Sequence, residues 1–259
     1  MALSDLKKTI SLQSRFNRDV LWNVMSLGVL GASGTVINFV ILAVQGKDAL
    51  GVFNQVFAFY IIVSQVAVGG LQFSALKHCS YNQDNMRECS KITSSALMLV
   101  AAVSLAMCAA LWSARGLIGR LLESEPVSLG IAFSIPGLFL FSINKVLIMS
   151  INGLRHMRAF AVFQALRYVL ILCGVVVIMA LGYPGSHLAL SLTLSEVVLF
   201  AGLMLYIRLR VFRMTFSLSA ETRAWMRRHV SFGLRGFLSG VLVEMNTRVD
   251  ILILGYYLS

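Results

Sequence analysis

The chain has 259 residues, 58% of them hydrophobic and 13% charged, and its mean hydropathy is +0.82. A soluble domain carries about 25% charged residues, so a surface this poor in charge cannot be wetted all round and should face lipid over most of its area. The formal net charge of +11 would suggest nucleic acid on a soluble protein, but here Lys and Arg sit between apolar runs and no basic stretch is interleaved with aromatics, so no nucleic-acid partner is expected.

Residues 1–19 are polar and basic, with Lys7, Lys8, Arg15 and Arg18. Leu3, Leu6 and Ile10 suit either a short amphipathic helix on the membrane surface or a disordered leader. The start does not read as a signal peptide, because the first apolar run is too long and no small-residue cleavage site follows. Seven apolar runs come next, at 20–44, 53–76, 92–112, 127–151, 160–181, 187–207 and 230–258. Each is long enough to cross a bilayer, which takes about 20 helical residues. The predicted fold class is all-α, a polytopic membrane helical bundle of about seven transmembrane helices. Pro126 suits a helix start, Pro136 should kink the fourth run, and Gly182-Tyr183-Pro184-Gly185-Ser186 should turn the fifth run tightly into an antiparallel sixth.

Lys and Arg alternate between the connections: fifteen on one side, counting residues 1–19, against Lys47, Arg115 and Arg120 on the other. The positive-inside rule then places the N-terminus in the cytoplasm. The sixth connection, 209–229, reads as a cytoplasmic linker with a short interfacial helix over 218–228, weakly capped by Ser219 and with Trp225 at headgroup level. Arg18–Val24 can be laid on Arg228–Leu234, which suggests that 230–259 opens a second copy of the unit at 20–208 and is truncated there.

The chemistry should lie in the charges within the spans. Glu244 falls about 20 Å along the last run from Val230, near mid-membrane, and pairs at i, i+4 with Arg248. An ionisable group at that depth costs about 2.5–3.5 kcal/mol on insertion scales and usually faces a bundle interior or a watery cavity. Arg235 and Asp250 share the run, with Asp250 on a different face from Arg248. Arg167 lies about 10 Å into the fifth run and Glu196 about 13 Å into the sixth, close enough to pair. Lys145, near the cytoplasmic end of the fourth run, reads as a snorkelling side chain or a further cavity cation. Two readings stand for these residues: they let helices insert and pair, or they line a transport cavity. Asn38, Gln55, Gln65, Gln72 and Asn144 read as interhelical hydrogen bonds, and Gly28, Gly31, Gly34, Gly236 and Gly240 as close-packing positions. His78, His156, His187 and His229 fall at helix ends or in loops and should be solvated. Cys79 and Cys89 share a predicted loop, while Cys108 and Cys173 lie in apolar runs. No disulfide framework, metal site, cofactor or catalytic group is expected.

The stretches Gly31-Ala-Ser-Gly-Thr-Val-Ile-Asn-Phe-Val-Ile-Leu42, Ala49-Leu-Gly-Val-Phe-Asn54 and Gly69-Gly-Leu71, with Arg248-Val-Asp-Ile-Leu-Ile-Leu-Gly255 in the last run, resemble bacterial O-antigen flippases of the Wzx type. These belong to the MOP superfamily, which also holds lipid II flippases and multidrug antiporters. The resemblance implies the first six-helix lobe of a MATE/MOP-like fold plus the start of a second. It implies alternating-access transport of an undecaprenyl-diphosphate-linked oligosaccharide across the inner membrane, with Arg167, Glu196, Arg235, Glu244, Arg248, Asp250 and Lys145 as cavity candidates. Partners implied are the lipid-linked sugar, the bilayer, and the polymerase and chain-length proteins of polysaccharide assembly. The lipid II branch's Arg-Asp pair near the end of its first helix has no counterpart here. Two alternatives are a cation-coupled drug exporter, using Glu196, Glu244 and Asp250, and a membrane polymerase or acyltransferase. The last would need a large outer loop, for which 113–126 with Arg115, Arg120, Glu123 and Glu125 is the longest stretch.

Overall fold

A computed structural model describes residues 3–121 and 124–258, apart from the side chains of 3–16, 119–121, 239, 247, 252 and 254–258. The proposed face of Leu3, Leu6 and Ile10 and the side chains of Arg120 and Glu123 lie outside the described residues. The helices are α1 Leu3–Val68, α2 Leu71–Tyr81, α3 Met86–Leu121, α4 Glu125–Gly153, α5 Met157–Ala180, a 3₁₀ turn Gly185–Ala189, α6 Leu190–Arg210 and α7 Ala220–Leu258.

Among the described residues five helices are long and apolar enough to cross a membrane, not seven. The first two runs form one element, α1. Its described span of 52 residues is about 78 Å of helix, more than twice a hydrocarbon core, and it breaks at Gly46 with φ 84° and ψ −177°. Both arms then bury residues in one cluster: Ile37 and Ile41 before the break, Phe53 and Val56 after it. The second run also ends early. Gly69 and Gly70 take φ 58° and 75°, which glycine adopts without steric cost, and α2 starts after them. The short interfacial helix expected over 218–228 is continuous with the seventh run in α7, which is not among the five. Ser219 does cap it, accepting from Thr222 N–H at 3.2 Å. The outer connection wanted for an enzyme reading is helix up to Leu121 and again from Glu125.

α4 continues through Pro136 because α6 repairs the gap. The hydroxyl of Thr193 donates to Phe133 O at 2.7 Å and accepts from Gly137 N–H at 3.0 Å. A side chain inserted into a helix's own ladder is a recognised cause of bending. A Cβ on Gly137 would stand 2.8 Å from Thr193 Cα, so the glycine is what admits α6 this closely.

The core divides along the bundle axis. One cluster gathers Val68, Ile92, Val100, Val146, Ile151, Phe160, Leu199 and Trp225. The other gathers Ile61, Cys108, Ile135, Phe141, Ile171 and Leu192. Between them each long helix changes character at the same level: Ser64 and Gln65 on α1, Ser104 on α3, Ser142, Asn144 and Lys145 on α4, Arg167 on α5, Ser195 and Glu196 on α6. Two apolar layers thus enclose a polar one.

Candidate functional site

Arg167 and Glu196 meet in the polar layer because the turn at Pro184 folds α6 back along α5. Arg167 Nε lies 2.7 Å from Glu196 Oε1, with side-chain exposures of 13% and 2%. That Nε–H is not aligned as a hydrogen bond, so charge, a longer hydrogen bond from Nη2 and neighbouring groups hold the pair. Nη2 of Arg167 lies 3.5 Å from Oε2. Asn144 Nδ2 donates to Glu196 Oε2 at 2.8 Å and to its backbone oxygen at 3.0 Å. The guanidinium lies 4.3 Å from the centre of the Phe141 ring, a cation–π contact. Beside the pair is a crevice of about 10 Å³ lined by Tyr60, Ser195 and Glu196, room for about one water. The buried Tyr60 hydroxyl has no hydrogen-bond partner among the described residues.

On the other side of Arg167 the layer opens. A cavity of about 230 Å³ is lined by Lys145, Gln164, Arg167, Tyr168, Glu244 and Arg248, against an apolar wall of Leu30, Ile61, Ile148 and Met149. Arg248 Nε is 3.3 Å from Glu244 Oε2, and Gln65 Nε2 donates to Glu244 Oε1 at 3.0 Å. Lys145 does not snorkel to the bundle end. Its Nζ sits 5.3 Å from the Phe141 ring centre, and it has no ion-pair partner among the described residues. The apolar neighbours Phe141 and Ile148, one turn before and one turn after it on the same face of α4, hold it inward.

The structure therefore brings Lys145, Arg167, Glu196, Glu244 and Arg248 together. Arg235 and Asp250 are exposed, outside the cavity, because α7 turns those faces away from α1. Gln164, Tyr168 and the Phe141 platform were not anticipated. The signal was present: Gln164 precedes Arg167 by three residues and Tyr168 by four, and Phe141 precedes Lys145 by four, the spacings that share a helix face.

α7 reaches the cavity because its first third is anchored elsewhere. His229, expected to be solvated, is fully buried. Its Nε2–H donates to Ile92 O at 3.0 Å, and its Nδ1 accepts from Ser74 at 2.8 Å, the pattern of a neutral imidazole. Trp225 is buried against the bundle and donates to Glu88 at 2.7 Å. Lys91 bridges Glu88 and Glu221. Backbones touch as well: a Cβ on Gly70 would lie 2.6 Å from Gly233 O, and one on Gly233 would lie 2.7 Å from Gly69 O. The glycines expected to pack, Gly28, Gly31, Gly34, Gly236 and Gly240, have nothing within 4 Å of an added Cβ. Among the described residues, the faces of α1 and α7 that carry them have no close neighbour.

No protein-family model matches the chain, and no curated protein matches it by sequence. Solved structures do. The fold is similar to a multidrug resistance MATE family transporter of the MOP superfamily in its outward-facing conformation, with TM-score 0.73 and 15% identity over 93% of this chain and 54% of that one. It is similar to a MOP superfamily transporter from Pyrococcus furiosus, for which a reversed binding-pocket polarity suggests a different function, with TM-score 0.68, 16% identity, and 93% and 61% covered. It is also similar to a MATE transporter in complex with MaD5, with TM-score 0.70, 16% identity, and 90% and 54% covered. The chain spans a little over half the length of these transporters. Over that span it has the fold of these structures, and five of its described helices are long and apolar enough to cross a membrane.

Proposed function

We propose that this chain is the first lobe of a MOP-fold transporter and part of a second. It sits in a bacterial inner membrane with its N-terminus in the cytoplasm, and its cavity receives the diphosphate of a lipid-linked oligosaccharide. The observation that carries this reading is the charge of the cavity wall, where Lys145, Arg167 and Arg248 stand against Glu244. Glu196 is already engaged by Arg167 and Asn144, and Lys145 is left over. Fixed cations in a half-dry cavity attract an anion, and an arginine fork matches phosphate oxygens. The apolar wall suits the start of a lipid tail. Residues 20–208 form the first lobe, a linker follows from 209, and α7, which begins within that linker at Ala220, is the opening helix of the second.

A second reading, export of organic cations, is favoured by Glu244 on the cavity wall and by the multidrug name of one structural neighbour. Deleting the gene separates the two. Loss of O-antigen, restored by wild type but not by Arg248→Ala or Lys145→Ala, supports the flippase reading. Normal O-antigen with raised sensitivity to cationic drugs replaces it with the exporter reading.

A further inference from the structure

A second groove lies at the end of α6, apart from the cavity. Met204, Leu205 and Arg208 on the last turns of α6 face Phe212, Arg213 and Phe216 on the extended segment after it, around about 550 Å³. A smaller groove of about 270 Å³ shares Phe212 and Arg213 and adds Arg87 and Ser90 from α3. Three arginines thus line the two grooves with no acidic side chain among the lining residues. None of the three makes an ion pair among the described residues. Their placement is fixed. Phe212 is buried, its N–H donates to Ile207 O at 3.0 Å, and Ser90 donates to Arg213 O at 2.7 Å.

The groove also has a definite depth. Leu205 is 59% exposed and Phe216 60% exposed, and Arg208 follows Leu205 by one helical turn. The wall therefore passes from hydrocarbon-facing surface to cations within about 5 Å of axis. A free anion has no use for the apolar half of this groove, and a neutral lipid has none for the arginines.

We propose that this groove binds an anionic phospholipid, its phosphate between Arg208 and Arg213 and an acyl chain along Leu205 and Phe216. Basic pockets at the cytoplasmic rim of helical bundles recognise such headgroups. The lipid would hold the segment joining α6 to α7, the helix that carries Glu244 and Arg248.

Native mass spectrometry of the whole chain, offered phosphatidylglycerol and phosphatidylcholine with the same acyl chains, tests this independently of what the cavity transports. Phosphatidylglycerol is retained preferentially by the wild type. Arg208→Gln with Arg213→Gln weakens that retention about thirty-fold, the share of two interfacial arginines. Arg223→Gln with Arg227→Gln removes the same charge from exposed positions on α7 and leaves retention unchanged. Arg208→Lys with Arg213→Lys keeps both charge and preference, which guards against misfolding of the glutamine pair. Equal losses in the two glutamine pairs, equal uptake of phosphatidylcholine, or displacement of bound phosphatidylglycerol by inorganic phosphate overturns the proposal.

Discussion

Two ion pairs lie on either side of the same polar layer and differ in access to water. Arg167–Glu196 is nearly sealed, at 13% and 2% side-chain exposure, and is buttressed by Asn144 and Phe141. Glu244–Arg248 is open, at 27% and 23%, and edges the cavity. A sealed pair has given up its hydration and is held by its partners, so breaking it is expensive. An open pair keeps water and can trade it for a ligand. The first holds α4, α5 and α6 in register, and the second offers charge to whatever enters.

That contrast predicts unequal costs. Glu196→Ala leaves Arg167 buried without a counter-charge and should destabilise by about 3–5 kcal/mol, whereas Arg167→Met with Glu196→Leu should recover most of the loss. Glu244→Ala should cost less than about 1 kcal/mol, because solvent screens that pair. Thermal unfolding of the purified protein in detergent measures all three variants. Equal losses for the two single variants would remove the distinction between the pairs.

The anchor of α7 gives the next largest effect, as a function of pH. His229 lies just before the last apolar run, and burial pushes its pKa down to about 4 from an ordinary 6.5, with the charge on His78 adding to the shift. The unfolded chain binds a proton near pH 6.5 and the folded chain only near 4. The contribution is therefore whole above 6.5 and is lost as pH falls through 4, by about 3 kcal/mol in all. Melting temperatures at pH 7.5, 5.5 and 4.5 should trace this loss, and His229→Gln should flatten it between 6.5 and 4.

A smaller effect separates glycines on one helix. Gly233→Ala drives a Cβ against backbone, 2.7 Å from Gly69 O, and should cost about 1–3 kcal/mol. Gly240→Ala meets nothing within 4 Å and should stabilise α7 by up to about 1 kcal/mol. This pair also marks the limit of the sequence. Small residues at helical spacing identify a face on which another helix could pack, but not whether one is there, so Gly236 and Gly240 looked stronger than Gly233. Burial of His229 was hidden for the same reason, since its partners Ser74 and Ile92 come from distant helices. The lipid-facing runs were plain, because hydropathy is local. So was the Arg167–Glu196 pair, because a tight turn fixes which residues of α5 and α6 share a level. Lys47 and Asp48 read as a polar connection between the first two runs, yet both lie in the helix just past the break at Gly46.

The smallest change to the fold should give the clearest result at the cavity. Glu244→Gln keeps the shape of the side chain and the hydrogen bond to Gln65, and at an exposure of 27% it should move stability by less than about 1 kcal/mol. It also removes the acidic charge that lines the cavity beside Lys145 and Arg248. In a cavity open to water one charge at contact distance is worth about 1–1.5 kcal/mol, close to the bulk-water limit, and so about a tenfold change in affinity. A soluble isoprenyl diphosphate should then bind the purified variant about tenfold more tightly by calorimetry, and Arg248→Gln about tenfold more weakly. An organic cation should show the opposite order. If neither ligand distinguishes the variants, the open pair is as structural as the sealed one, and the cavity's charge has no bearing on its cargo.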